Sequence, residues 1–290
     1  MLRIFLLAAL GADPGAWGEA QVSGAGSYSS GTSSLTTYTG LGSASISAFV
    51  HHRLRDDDAP LSLQPYLQRT GAVSASLSFS GFSTESPTLP EPYHGTTFGG
   101  TLSLDAYPGE IFTLWLSAGF FRSRADGGYS GNPGTEWLLP RAEIGPGVRI
   151  DDTRVTVGYS YAPTITNGTY DGRGLGQLYL NITTVIARRA YVSAVGELIL
   201  SGGRGLLDVG VFPSRAFGLG ASFEYAEGAI YFDSHDVYRR LQPTASVSWW
   251  ITRWCALGLE YRFIHTEPVH RAGPTVNTHR GTLTLAFRLG

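Results

Sequence analysis

The chain has 290 residues, a formal net charge of -2, 15% charged residues, 12% aromatic residues and 38 glycines. This charge balance excludes a strongly basic nucleic-acid-binding protein, and the charged fraction lies well below the roughly 25% of soluble domains. No run after the N-terminus reaches the roughly 18 apolar residues of a membrane-spanning helix. The single cysteine, Cys255, excludes an intramolecular disulfide framework.

The N-terminal segment, residues 1–20, is predicted to be a secretory signal peptide. Arg3 supplies a short positive region and the run IFLLAAL supplies an apolar region. Gly18 and Ala20 then place small residues at the two key positions before a cut at Gln21. Residues 21–290 are predicted to form one domain.

Beyond this segment, apolar residues recur at every second position in one segment after another. A period of two gives a strand one apolar face and one polar face. Fourteen strands are predicted, and twelve is the alternative if the weak N-terminal hairpin or the short hairpin at 190–212 does not form. The predicted spans are 21–30, 38–53, 66–83, 95–107, 111–124, 135–150, 153–163, 174–187, 190–201, 204–212, 216–227, 237–251, 254–266 and 277–290.

The apolar positions of these strands are predicted to face lipid. They include Phe112, Leu114, Leu116, Ala118, Phe120, Leu178, Leu180, Ile182, Ile186, Phe217, Leu219, Ala221, Phe223, Tyr225, Leu257, Leu259, Tyr261, Phe263, Leu283, Leu285, Phe287 and Leu289. Segments of about ten residues that alternate apolar and polar positions are the signature of a transmembrane β-barrel. The predicted fold is therefore all-β, a closed up-and-down antiparallel transmembrane β-barrel.

The connections between strands alternate between tight turns and longer polar loops, such as HTEPVHRAGPTVNT and TITNGTYDGRG. Outer-membrane barrels show this asymmetry, with short periplasmic turns and long extracellular loops. Residues 51–69 form a longer, charged connection on the short-turn side, where Pro60 and Pro65 bar a central strand. A solvated turn and a docking element for a periplasmic partner both remain open for this segment.

The polar face carries charges that are predicted to line a constriction. They are Arg141, Glu143, Glu197, Glu224, Arg240, Glu260, Arg262 and Arg280. One interpretation is a transverse field, basic on one wall and acidic on the other, that sets ion selectivity. The other is a salt-bridge network that fills the lumen. The rough balance of the two signs favours the network and argues against strong selectivity.

No catalytic, cofactor or metal site is predicted. The triplet Ser234-His235-Asp236 cannot hold a proton relay in order, because its members are consecutive on a loop. The histidines do not show the spacing of convergent metal ligands. The sequence also contains no nucleic-acid-binding patch. Because no catalytic constellation is predicted, an enzyme is not expected.

The export signal, the alternating strands and the C-terminal GTLTLAFRL together resemble bacterial outer-membrane β-barrel proteins in general. This resemblance covers the whole mature chain and implies contact with outer-membrane lipid. It also implies recognition of the last strand by the barrel-assembly machinery, although Phe287 is followed by Arg-Leu-Gly rather than being terminal. Two functions remain: a porin-like channel for small polar solutes or ions, and a non-conducting scaffold of an envelope machine such as polysaccharide export.

Overall fold

The computed structural model describes residues 14–31, 36–52, 72–85, 91, 93–106, 111–127, 134–166, 169–199, 202–229, 237–252, 254–269 and 275–289. Its strands are β1 (Pro14–Gly31), β2 (Thr36–His52), β3 (Ala72–Glu85), β4 (Tyr93–Ala106), β5 (Phe112–Gly127), β6 (Thr135–Ile150), β7 (Thr153–Thr166), β8 (Thr169–Ile186), β9 (Ala190–Ile199), β10 (Gly202–Val211), β11 (Phe217–Ala229), β12 (Val237–Thr252), β13 (Cys255–Pro268) and β14 (Val276–Leu289). Within these ranges, no helix is long and apolar enough to cross a membrane.

Each strand pairs antiparallel with its neighbour in the chain, which confirms the predicted all-β, up-and-down architecture. Strands β3–β14 form a continuous twelve-strand sheet whose side chains are largely described. The backbones of β1 and β2 complete the order, since β2 pairs with β3 and β1 pairs with both β2 and β14. The strand order therefore returns to its start and closes the sheet into a barrel.

The first strand overlaps the predicted signal peptide. β1 begins at Pro14, and its pairing with β14 runs from Gly18 opposite Leu289 to Gly31 opposite Val276. A cut before Gln21 would leave the part of β1 from Gln21 to Gly31, which meets the roughly 9–11 residues that a tilted transmembrane strand needs. The cleavage position stays a prediction.

Burial is inverted relative to a soluble protein. Among the described residues, the buried apolar side chains are Ala125, Val185, Phe212, Ala256 and Ala286, whereas the buried polar ones are Ser103, Thr113, Arg149, Thr156, Ser160, Glu224 and Gln242. Large apolar side chains are instead exposed on every strand from β3 to β14. A contiguous apolar surface of this kind requires an apolar solvent.

The exposed apolar residues form an outer belt, which confirms the predicted lipid-facing positions whose side chains are described; the side chain of Leu289 lies outside them. Its members include Leu77, Phe98, Phe112, Phe120, Leu178, Leu180, Leu219, Phe223, Val247, Leu259, Leu283 and Phe287. Charged side chains appear on the outer face just beyond the belt, toward the connection that follows β5. There Arg122 forms a two-bond pair with Glu136, at 2.9 and 3.0 Å. These charges mark one edge of the belt.

The connections at the two ends of the barrel differ less in length than the sequence analysis predicts. The segment TITNGTYDGRG is predicted to be a long loop, and this prediction is wrong. β7 continues to Thr166 and β8 starts at Thr169, so only residues 167–168 lie between them. The sequence there is Asn-Gly, the strongest short-range signal for a two-residue hairpin. The polar residues of this segment therefore extend a hairpin rather than form a loop.

The opposite end, called here the short-turn end, carries the start of β1, the end of β14 and the tightest described turns. The β6–β7 turn places Asp151 at a φ of 52°, and the β8–β9 turn places Ala187 and Arg188 at 49° and 55°. Residues 53–71 of the β2–β3 connection lie outside the described residues. The predicted docking role of residues 51–69 therefore stays a prediction.

Candidate lumenal constriction

All eight residues predicted to line a constriction occupy inward-facing positions of the sheet. The alternation is clear on β11, where Glu224 is 4% exposed while its neighbours Phe223 and Tyr225 on the outer face are 47% and 37% exposed. The structure gathers the eight into three groups, on β6 with β8, on β9–β12 and on β13–β14. Whether they line a conducting pore stays a prediction.

The largest group is a chain of ion pairs across β9–β12. Arg204 contacts Glu197 at 3.1 Å and Glu224 at 2.9 Å, and Arg240 donates to the second carboxylate oxygen of Glu224. The Glu224 side chain is only 6% exposed, whereas those of Arg204 and Arg240 are 38% and 45% exposed. Glu224 thus compensates two arginines at once, and the two guanidinium groups offset the cost of desolvating a carboxylate so enclosed.

Arg204 is the member of this chain that the sequence analysis misses. The predicted strand 204–212 begins at Arg204, which places this side chain at the end of the strand. In the structure β10 begins at Gly202, and the register sets Arg204 directly opposite Glu197. Residues of opposite charge placed at equal distances from the β9–β10 connection are the signal that could have found it.

The second group lies on β6 and β8. Arg141 donates to Glu143 at 3.4 Å on the same strand, and Tyr179 hydrogen-bonds to Glu143 from β8. The Tyr179 ring lies against the bare backbone of Gly145 and Gly158. A Cβ atom added at Gly158 would be 2.2 Å from the ring, and one added at Gly145 would be 2.5 Å from the hydroxyl oxygen. The two glycines therefore make the space that holds Tyr179 next to Glu143.

The substitution Gly158→Ala is expected to destabilise the barrel by about 1–3 kcal/mol, the usual cost of forcing extra volume into a packed site. The new methyl group would displace the Tyr179 ring from the wall. The shift of the urea midpoint for unfolding measures this effect. Gly196→Ala is the matched control, because nothing lies within 4 Å of a Cβ at Gly196. Equal midpoints for the two variants would contradict the packing role of Gly158.

An additional ion pair spans the inner wall near the short-turn end. Arg154, at the start of β7, binds Asp105 with two bonds of 2.9 and 3.0 Å. Asp105 lies at the end of β4, so the pair reaches past the two intervening strands β5 and β6. The geometry is that of a two-bond guanidinium–carboxylate contact, the strongest form of this interaction. The pair connects β4 with β7, two strands that are not joined by sheet hydrogen bonds.

The third group differs from the others because its charges are not balanced. Arg262 on β13 donates to Glu260 at 2.8 Å on the same strand. Arg280 on β14 lies directly opposite Arg262 in the register. Within the described part of the chain, Arg280 forms no salt bridge. Like charges directly opposite each other destabilise a strand pair.

The inner face of β3–β5 carries mainly hydroxyl groups, and Asp105 is the one charged residue among its described inward-facing positions. This hydroxyl wall consists of Ser76, Ser78, Ser80, Thr97, Thr101, Ser103, Ser117 and Ser123. Thr97 and Ser123 hydrogen-bond across β4 and β5 at 2.8 Å. The described inward-facing arginines lie on β6–β14 and are interleaved with carboxylates rather than gathered on one side. This arrangement argues against a basic wall that faces an acidic one.

Within the described residues, no group of three or more His, Cys, Asp or Glu side chains is placed to hold a metal ion. The triplet Ser234-His235-Asp236 lies outside the described ranges. Within those ranges, His279 Nδ1 shares a hydrogen bond with the Tyr261 hydroxyl group, and His265 Nδ1 donates to Asn277 Oδ1, each at 2.7 Å.

No family model matches the chain, and no curated protein matches it in sequence. Solved structures resemble it in fold. The Pseudomonas putida toluene transporter TodX has a TM-score of 0.57 at 10% identity, over 95% of this chain and 89% of TodX. The deltaS2 mutant of the TodX monoaromatic hydrocarbon channel reaches 0.62 at 11%, over 96% and 91%. The Ralstonia pickettii toluene transporter TbuX reaches 0.53 at 10%, over 95% and 90%. At such identities the likeness is one of fold, and the chain has the fold of bacterial outer-membrane β-barrel proteins.

Proposed function

We propose that the protein is a bacterial outer-membrane channel that passes small polar solutes or ions through a closed fourteen-strand barrel. The observation that carries this proposal is the accessibility of the inward-facing charges. The side chains of Arg141 and Arg240 are 46% and 45% exposed although both point away from the outer belt. Water therefore reaches the inner wall on two well-separated strands, β6 and β12, as a solute pathway requires.

The outer belt supports the membrane location. Its apolar side chains require lipid around the barrel, because so large an apolar surface does not stay monomeric in water. The short-turn end is placed in the periplasm, where both termini of such barrels lie, and the opposite end faces the exterior. The signal peptide predicted at residues 1–20 agrees with export to this location.

The lining supports polar rather than apolar solutes. TodX is named as a monoaromatic hydrocarbon channel and TbuX as a toluene transporter, but the likeness to them extends only to the fold. In this chain the described inner face carries the ion pairs of β9–β12 and the hydroxyl wall of β3–β5. Groups of this kind replace part of the hydration shell of a polar solute, and the near balance of charges favours weak ion selectivity.

Single-channel conductance in a planar bilayer tests the proposal. The refolded mature protein is expected to give stable, discrete openings, and the same protein unfolded by heat in the same detergent is the control. Silence from protein that circular dichroism shows to be folded would overturn the channel function. The non-conducting scaffold would then be the better proposal, and a search for proteins that bind residues 51–69 would follow.

A further inference from the structure

The inner face of β13 and β14 carries two arginines on directly opposed residues. Arg262 and Arg280 are partners in the register, so their Cβ atoms lie roughly 4.5–5.5 Å apart. These two arginines are called here the arginine patch. The carboxylate that pairs with it is Glu260, on the same strand as Arg262 and 2.8 Å from it. Two guanidinium groups thus share one carboxylate.

The remaining carboxylates of the described inner face are already engaged. Glu197 and Glu224 bind Arg204 and Arg240, as the chain across β9–β12 shows. In addition, Asp105 binds Arg154, Glu143 binds Arg141, and Asp208 accepts a bond from Tyr191 at 2.8 Å. Among the described residues, none of these acids forms an ion pair with Arg280. Its charge is therefore not balanced by an ion pair with any acid of the described inner face.

The patch also contains side-chain polar atoms that are shielded from solvent and form no hydrogen bond with the described part of the protein. Within the described residues these include the Nε atoms of Arg262 and Arg280 and the hydroxyl oxygen of Thr282. Thr282 follows Arg280 by two residues, so it lies on the same face of β14. Three potential hydrogen-bond donors thus lie on two neighbouring strands, and one of the two guanidinium charges there has no ion-pair partner among the described residues.

The neighbouring strand does not supply the missing charge at these positions. The register of β1 sets Ser27 opposite Arg280 and Ala25 opposite Thr282, and neither residue type is acidic. β2 in turn sets Thr39 opposite Ser27. The positive patch therefore adjoins an uncharged stretch of the barrel.

We propose that Arg262, Arg280 and Thr282 form a lumenal binding site for a small oxyanion such as phosphate, sulfate or a carboxylate. Guanidinium groups match such anions in charge and in planar two-bond geometry. The anion supplies the negative charge that no described carboxylate places on Arg280, and the hydroxyl group of Thr282 donates a further hydrogen bond. This inference rests on the proposed function, because the site needs a water-filled lumen.

Anion-to-cation permeability in a salt gradient tests the site in the conducting protein. The wild type is expected to prefer anions weakly, as the near balance of the other lumenal charges implies. Arg280→Gln is expected to lower the permeability ratio on the order of fivefold, the factor that one unit charge about 4 Å from an ion contributes in water. Arg280→Lys should keep most of the preference. Arg122→Gln removes an arginine from the outer face and should leave the ratio unchanged.

Binding of inorganic phosphate to the folded protein in detergent, measured by calorimetry, separates this inference from the channel function. Binding that disappears in Arg280→Gln would support the site even if no conductance is found. Phosphate binding that is absent from the wild type, or equal in the wild type and Arg280→Gln, would overturn the site. An unchanged permeability ratio in a conducting Arg280→Gln variant would overturn it as well.

Discussion

Replacing Val247 by arginine is expected to lower the free energy of unfolding in a bilayer by about 2–4 kcal/mol, the cost of arginine at the midplane of the membrane. Val247 lies on the outer belt, and the register pairs it with two other belt residues, Leu219 and Leu259. The guanidinium group would therefore have lipid around it. Denaturant titration of the protein folded into lipid vesicles measures the change.

The neighbouring position provides the control for this prediction. Ser246 points inward and lies opposite Glu260 in the register, so Ser246→Arg places the same side chain in the lumen beside a carboxylate. This variant is expected to cost much less than Val247→Arg. Equal destabilisation by the two variants would contradict the assignment of lipid and lumen faces on β12.

Glu224→Gln is expected to destabilise the barrel by about 1–3 kcal/mol, the cost of leaving a buried polar partner unsatisfied. The variant removes the carboxylate that binds Arg204 and Arg240 together, and Arg240 would lose its ion pair with β11. Because both arginines are more than a third exposed, water screens part of the loss. The free energy of unfolding in vesicles again provides the measurement.

The ion pair on the outer face supplies a matched acid for comparison. Glu136 binds Arg122 with two bonds, but both side chains are well exposed, so Glu136→Gln should change stability less than Glu224→Gln. The opposite order of the two effects would refute the structural role given to Glu224. In a conducting barrel, Glu224→Gln should also raise the preference for anions, because two lumenal arginines lose their shared countercharge.

The strands follow from the sequence because the period of two is a local property of each segment. β6 is predicted at 135–150 and is observed as Thr135–Ile150. A hairpin can also be found locally, and Asn167-Gly168 carries the signal that the loop prediction for TITNGTYDGRG ignores. Strands and tight hairpins are therefore predictable, because each depends on residues that are close together in the sequence.

Side-chain pairing in the lumen is less predictable, because it depends on register and on the tilt of the strands. Arg204 is missed since a start at 204 instead of Gly202 hides its position opposite Glu197. The pair of Asp105 and Arg154 joins strands that are not adjacent. Its geometry depends on the curvature of the whole barrel, which no single segment encodes.

The most direct test of the account is the accessibility of spin labels along the middle of β12. Labels would be placed in turn at Thr244, Ala245, Ser246, Val247 and Ser248 in a Cys255→Ser background, with the protein folded into lipid vesicles. The account predicts a period of two: labels at 245 and 247 collide with oxygen dissolved in lipid, and labels at 244, 246 and 248 collide with a water-soluble relaxation agent. Loss of this alternation would contradict the barrel, and inward labels that the water-soluble agent cannot reach would contradict a water-filled lumen.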